Sequence, residues 1–297
     1  LGAVSNTLKD EKEEMKFDSQ KIAEIIIEVS QQEVMPRWCN LQEGDILEKT
    51  GPKDLVTVAD RAAEKALIEK LTKLYPETEF LGEEITEIEP QRIKLLDQDK
   101  PVWVIDPIDG TMAYSKGKPE FDIMLALVQK GEILGGWIYA PVDNDMYAAE
   151  KGAGIERHHA GIRSLKKRSK HLDEIDPQKG KLNLEALAGI VGKQLFTEEQ
   201  HKQVLSKKNF FRKLMSTISA GHDYARIVRG EADFALYNKT KPWDHLPGLA
   251  FLQELGFHYA RQDGSTYQPG HNMAGGLLIA PDQQSWNDIR QILLGAC

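Results

Sequence analysis

The chain has 297 residues with 38 basic and 46 acidic side chains, a formal charge of −8, and enough length to bury a sizeable core as one large domain or two halves. That balance lacks the basic footprint of a nucleic-acid binder, and no long apolar run or signal-peptide pattern marks a membrane protein. Only Cys39 and Cys297 occur, far apart and outside any CxxC or Cys/His spacing, which argues against a zinc site or a disulfide framework and for a reducing cytoplasm.

Residues 1 to 16 are polar and charged and are expected to be a frayed segment. Ile22, Ile25, Ile26 and Val29 recur at helical spacing within 19 to 35, as do Ala63, Leu67, Leu71 and Leu74 within 60 to 74, predicting two amphipathic helices. "TEFLGEE" (78 to 84) and "PVWVIDP" (101 to 107) read as short buried strands that end in carboxylates. Two apolar runs flank Lys130-Gly131 within 121 to 141, a hairpin signal, and 146 to 155 read as a second turn-linked pair. From 156 to 185 the composition turns basic and poor in apolar residues. No aromatic residues interleave it, so it reads as a solvated loop and a domain boundary.

The second half is expected to begin with a strand at 186 to 191 and a helix at 197 to 207 capped by Thr197 and Gln200. A helix at 219 to 230 should close on Gly230, followed by a strand at 232 to 237. A helix at 242 to 256 carries Asp244 near its start, with Pro247 placed in its first turn. A hairpin turning at Asp263-Gly264, a strand at 276 to 280 and a last helix from Pro281 or Asp282 complete the chain. Residues 17–160 thus form an N-terminal α+β half, 161–185 a linker and 186–297 a C-terminal α/β half. Both mix helices and sheets in a layered sandwich, with carboxylates gathered where strand ends meet helix starts.

"WVIDPIDGT" (103 to 111) is the most informative stretch. Asp and Gly are ordinary turn residues, and a turn alone would account for D-P-x-D-G. Here, however, the stretch follows an apolar strand, and Gly-Thr opens a segment whose free N–H groups suit an anion. Two carboxylates at an anion site repel the anion and each other unless divalent cations lie between them, and Mg²⁺ is the usual hard cation bridging carboxylates and phosphate. Glu83 at a strand end, and Asp60 and Asp244 at helix starts, supply further carboxylates. Each alone is a weak signal, and Asp60 or Asp244 taken singly reads as a cap.

Taken in order, "DLVTVAD", "GEE", "WVIDPIDGT" and "PWDHLPG" resemble the inositol monophosphatase family of lithium-sensitive, Mg²⁺-dependent phosphatases, over roughly residues 20 to 295. The resemblance implies a layered αβαβα sandwich of the inositol monophosphatase/fructose-1,6-bisphosphatase type. It implies a first metal on Glu83, Asp106 and the Ile108 carbonyl, and a second on Asp106, Asp109 and Asp244. Thr111 and Asp60 would orient and deprotonate the attacking water, while Gly110, Thr111 and Lys49 would hold the phosphate. A homodimer acting on a small phosphorylated substrate, without nucleic acid or membrane, is also implied.

Physical chemistry supports those roles: two nearby metals stabilise the entering and leaving oxygens, and a threonine hydroxyl needs a partner carboxylate to receive a proton. Substrate contacts are expected from Asp109, Ser219, His222, Asp223 and Tyr237, although His222 could equally face solvent. Tyr237 stands where inositol phosphatases carry a Glu for the inositol hydroxyls. Histidinol-phosphate phosphatase and 3'(2'),5'-bisphosphate nucleotidase are therefore alternatives, and a metal-binding regulatory protein of weak activity is the alternative from another class.

Overall fold

A computed structural model describes residues 14–51, 54–159, 162–166, 184–192, 197–270 and 275–295. Helix α1 (Ser19–Val29) is capped by Asp18, whose side chain accepts from Lys21 N–H, and continues as a π-helical turn over Ser30–Val34. A hairpin of β1 (Ile46–Gly51) and β2 (Asp54–Thr57) leads into α2 (Val58–Leu74). Then follow β3 (Glu79–Gly82), α3 (Glu83–Ile88), a 3₁₀ segment (Pro90–Asp97), β4 (Val102–Asp109) and the five-residue α4 (Thr111–Ser115). Five further strands extend the sheet: β5 (Asp122–Gln129), β6 (Glu132–Ala140), β7 (Asp145–Glu150), β8 (Gly154–His159) and β9 (Ile162–Lys166). The order is β3-β4-β5-β6-β7-β8-β9, with β3 parallel to β4 and the remaining pairs antiparallel. Lys130 and Gly131 both adopt positive φ (53° and 75°), which makes the β5–β6 connection the tight turn that the sequence signals.

The C-terminal half contains β10 (Ala188–Val191), α5 (Glu198–Ser206), β11 (Lys213–Ser216), α6 (Ala220–Arg229), β12 (Phe234–Tyr237), α7 (Pro242–Leu255), β13 (His258–Ala260), β14 (Leu277–Ala280) and α8 (Gln283–Leu294). Its sheet runs β11-β10-β12-β14-β13, parallel across the first three strands and antiparallel across the last.

The two-residue alternation of strands builds the layers. Trp103, Ile105, Ile123 and Leu125 pack with Ile22 and Leu67 of α1 and α2. Their neighbours Val104, Met124 and Ala126 face the opposite way, joining Leu249 of α7 and Ile279 of the second sheet. On that second sheet Phe234 and Leu236 alternate with Ala235, turning outward onto Val204 of α5 and Trp286 of α8. The result is helices, sheet, helices, sheet, helices: the α+β sandwich of five layers.

Several details depart from the sequence-based expectations. Residues 14 to 16 belong to the segment expected to fray, yet Met15 N–H donates to Gln129 Oε1 at 3.0 Å and Lys151 pairs with Glu14. The boundary placed between 160 and 161 falls within the β8–β9 pairing, so the first sheet runs on into the basic stretch. Residues 167–183 of that stretch lie outside the described residues. Pro247 is the sixth residue of α7, past its first turn; Pro242 is the proline at the start. Gly264 turns the chain at Asp263-Gly264, but the strands that pair are β13 and β14, separated by 261–276. No helix among the described residues is long and apolar enough to cross a membrane. Cys39 is exposed and free, and Cys297 lies outside the described residues.

Candidate active site

Strand alternation should send Asp106 and Asp109, three residues apart, to opposite faces. The β4–β5 register prevents this: Asp106 pairs with Met124 and Asp109 with Asp122, so β4 spends one residue more than its partner. The bulge resets the alternation and lets both carboxylates serve one side at the end of the strand. Pro107 sits within it, where a missing N–H is tolerated. Gly110 follows at φ +92°, and a Cβ there would lie 2.7 Å from the Glu120 carbonyl, so only glycine makes this turn.

Asp60 reconciles its two readings. Its Oδ2 accepts from Thr57 N–H at 2.8 Å and from Thr57 Oγ1 at 2.5 Å, completing a capping box on α2. Its Oδ1 is left for Thr111, whose hydroxyl lies 3.1 Å away and 3.0 Å from the Ile108 carbonyl. Burial pushes the Asp60 carboxyl up to about 6. Gly110 and Thr111 N–H donate to no protein acceptor among the described residues.

Glu83 opens α3, and a residue overlooked in the sequence holds it there. Glu64, one turn beyond Asp60 on α2, accepts from Glu84 N–H at 2.9 Å and Ile85 N–H at 2.8 Å, anchoring the start of α3. Its carboxylate lies where a Cβ at Gly82 would be, which explains the glycine of "GEE". Lys49 extends from β1 to Glu83 at 3.4 Å, Glu84 at 2.5 Å and Glu87 at 3.1 Å. Lys241, just before α7, reaches Glu83 at 2.9 Å. Burial pulls both ammonium groups down, but the surrounding carboxylates outweigh it and raise them above the usual lysine range.

Burial and then mutual repulsion raise the buried acids. Asp106 stands well above the usual carboxylate range through burial and the charges of Glu83, Asp109 and Asp244. Asp109 is raised by burial, Asp244 and Asp122, and Asp244 to about 6 by burial. So the fold brings Glu83, Asp106, Asp109 and Asp244 into one electrostatic neighbourhood. Among the described residues, no three His, Cys, Asp or Glu side chains converge at metal-binding distance.

The donor set nevertheless suits a hard divalent cation: it is all oxygen, from carboxylates that repel one another and that a cation would relieve. Glu83, Asp106, Asp109, Asp244 and the Ile108 carbonyl would hold it.

Helix α6 borders this cluster. Gly221 N–H donates to Asp109 Oδ2 at 2.6 Å, joining the helix start to β4. Ser219 caps the helix, its hydroxyl donating to Asp122 Oδ2 at 2.9 Å. His222 Nδ1 meets the same Asp122 oxygen at 2.5 Å and Ser219 Oγ at 3.2 Å. Serine and carboxylate share one ring nitrogen, so the three do not form a nucleophilic triad. Nε2 has no hydrogen-bond partner among the described residues, and the side chain is 17% exposed. Burial lowers the imidazole, but the hydrogen bond to Asp122 prevails and its pKa is raised. The expected contacts Asp223 and Tyr237 turn inward instead. Asp223 accepts from Thr217 and from the Tyr237 hydroxyl, the latter at 3.4 Å, and burial raises it to about 7.

A sequence model of the inositol monophosphatase family matches residues 11–292. The chain is 34% identical to an inositol-1-monophosphatase of Caulobacter vibrioides, over 80% of this chain and 85% of that one. It is 31% identical to the Nus factor SuhB of Escherichia coli, over 81% and 84% respectively. A solved IMPase of Thermotoga maritima superposes with a TM-score of 0.72 at 23% identity, covering 93% of this chain and 95% of the other. An IMPase/NADP phosphatase complexed with NADP and Ca²⁺ gives 0.73 at 20% identity, covering 94% and 97%.

Proposed function

The chain belongs to the inositol monophosphatase family, and on that premise we propose that it is a Mg²⁺-dependent hydrolase of a small phosphate monoester. The observation that carries this reading is the β4 bulge, which sets Asp106 and Asp109 on one side beside Thr111 and its Asp60 partner. Glu83, Asp106, Asp109, Asp244 and the Ile108 carbonyl would hold divalent cations, which when bound would supply charge neutralisation for the phosphate and acidification of the attacking water. The protein supplies the rest. Asp60, with one oxygen fixed by Thr57, accepts through its other oxygen the proton that the Thr111 hydroxyl passes on. The N–H groups of Gly110 and Thr111 hold the phosphate oxygens, and Lys49 adds positive charge at the edge of the cluster.

An inositol phosphate is the first substrate class in this reading, in line with the name of the Caulobacter relative. Tyr237, buried on Asp223, offers no carboxylate for inositol hydroxyls. Histidinol phosphate and 3'(2'),5'-bisphosphonucleotides therefore stay as alternatives, with Ser219 and His222 as the leaving-group contacts. A regulatory role is a second reading, prompted by the relative named a Nus factor. Asp106→Asn decides the chemistry: it should abolish Mg²⁺-dependent phosphate release while circular dichroism stays unchanged, and near-wild-type turnover would contradict the proposal.

A further inference from the structure

Lys241 is placed by Pro242, the first residue of α7, and by the Trp243 ring, whose centroid lies 5.5 Å from its Nζ. Its hydrogen-bond and ion-pair partner is Glu83 Oε1, 158 residues away in the chain, and its charge also acts on Asp244 and Asp106. Lys49 reaches the same Glu83 oxygen from β1. The two lysines are not equivalent. Lys49 also holds Glu84 and Glu87, so it can release Glu83 and stay paired. Lys241 has no second carboxylate at ion-pair distance among the described residues, and its side chain is 27% exposed, which leaves an outward path.

An ammonium at hydrogen-bond distance and a divalent cation at coordinating distance call on the same lone pairs of a carboxylate oxygen. We propose that Lys241 is a tethered competitor of the divalent cation for Glu83, and that it weakens and thereby sets the metal affinity of the carboxylate cluster. The inference rests on the metal-site reading given above. Lys241 neutralises part of the cluster and must swing away from Glu83 as the cation binds. A site with this built-in counter-ion holds its metal more loosely than the number of its carboxylates implies.

Isothermal titration of the full chain with MgCl₂ alone tests this without any substrate. Lys241→Met should tighten Mg²⁺ binding by about tenfold, the scale expected for losing one unit charge near a divalent ion under solvent screening. Lys241→Arg, which keeps the charge, should stay within about twofold of wild type. Lys239→Met, which removes an exposed charge that makes no ion pair with Glu83, should change affinity by less than about threefold. In EDTA the thermal midpoint of Lys241→Met should fall, and Mg²⁺ should raise it by more than it raises wild type. Should the methionine variant fail to fold, Lys241→Gln keeps a neutral donor for Glu83 and should tighten binding by roughly threefold. Unchanged or weaker Mg²⁺ binding in both neutral variants would overturn the proposal. Failure of the underlying metal-site reading looks different: wild type itself would then show no saturable Mg²⁺ binding, or Asp244→Asn would bind as well as wild type.

Discussion

The β4 end of the site and the α6 side of it are built by different means. At β4 the geometry is mostly local: one extra residue in a strand and one left-handed glycine set Asp106, Asp109 and Thr111 within one short stretch, and Asp60, fixed by its own capping box, joins Thr111 from 51 residues away. At α6 the geometry is assembled across the chain, for Asp122 meets Ser219 and His222 about 100 residues later. The difference teaches where generality ends. On the proposed reading the first region does the bond breaking and the second, where Tyr237 is withdrawn onto Asp223, selects the substrate.

That division can be broken by experiment, beginning with its largest expected effect. Thr111→Ala or Asp60→Asn should lower kcat by about 100- to 1,000-fold, with binding of Mg²⁺ little changed, as steady-state kinetics and titration will read. A similar loss from His222→Ala would erase the distinction between the regions. Next, Gly221→Ala places a Cβ 2.6 Å from the Asp122 carboxyl carbon and should destabilise the fold by about 1–3 kcal/mol in denaturant unfolding. Asp122→Asn should release the His222 imidazole and raise KM by about tenfold while kcat stays near wild type.

A pH series sharpens the same contrast. Burial raises Asp60 to about 6, Glu64 to about 7 and Glu84 to about 8, each above its unfolded value. At these three groups the folded protein therefore keeps protons that the unfolded chain has released, and the stability they contribute is fully present below about pH 4 and lost as pH rises toward 8. The midpoint in EDTA should accordingly drop between pH 5 and pH 8, read by thermal unfolding, and saturating Mg²⁺ should shrink the drop.

How much of this was legible beforehand follows the same local-versus-distant line. The Thr197 capping box, the Gly230 cap and the Lys130-Gly131 turn are written within a few residues each, and the structure has all three. The five layers follow from strand alternation joined to the family resemblance. Glu64 could have been found, since it lies one helical turn from Asp60 on the same face, but a glutamate in a helix carries no local mark of what it binds. Asp122 and Lys241 were hidden for a stronger reason. One sits in an apolar strand and the other before a helix, and the partners that give them meaning lie 100 and 158 residues away. Strand β11 was missed because its pattern is half exposed, with its pairing supplied by β10.

The most direct measurement is phosphate release by the wild-type chain from inositol 1-phosphate, histidinol phosphate and 3'-phosphoadenosine 5'-phosphate, each with EDTA, with Mg²⁺, and with Mg²⁺ plus Li⁺. The account predicts release from at least one substrate that appears with Mg²⁺, vanishes in EDTA and is suppressed by Li⁺. No release from any substrate with Mg²⁺ present, or release indifferent to EDTA, would contradict it.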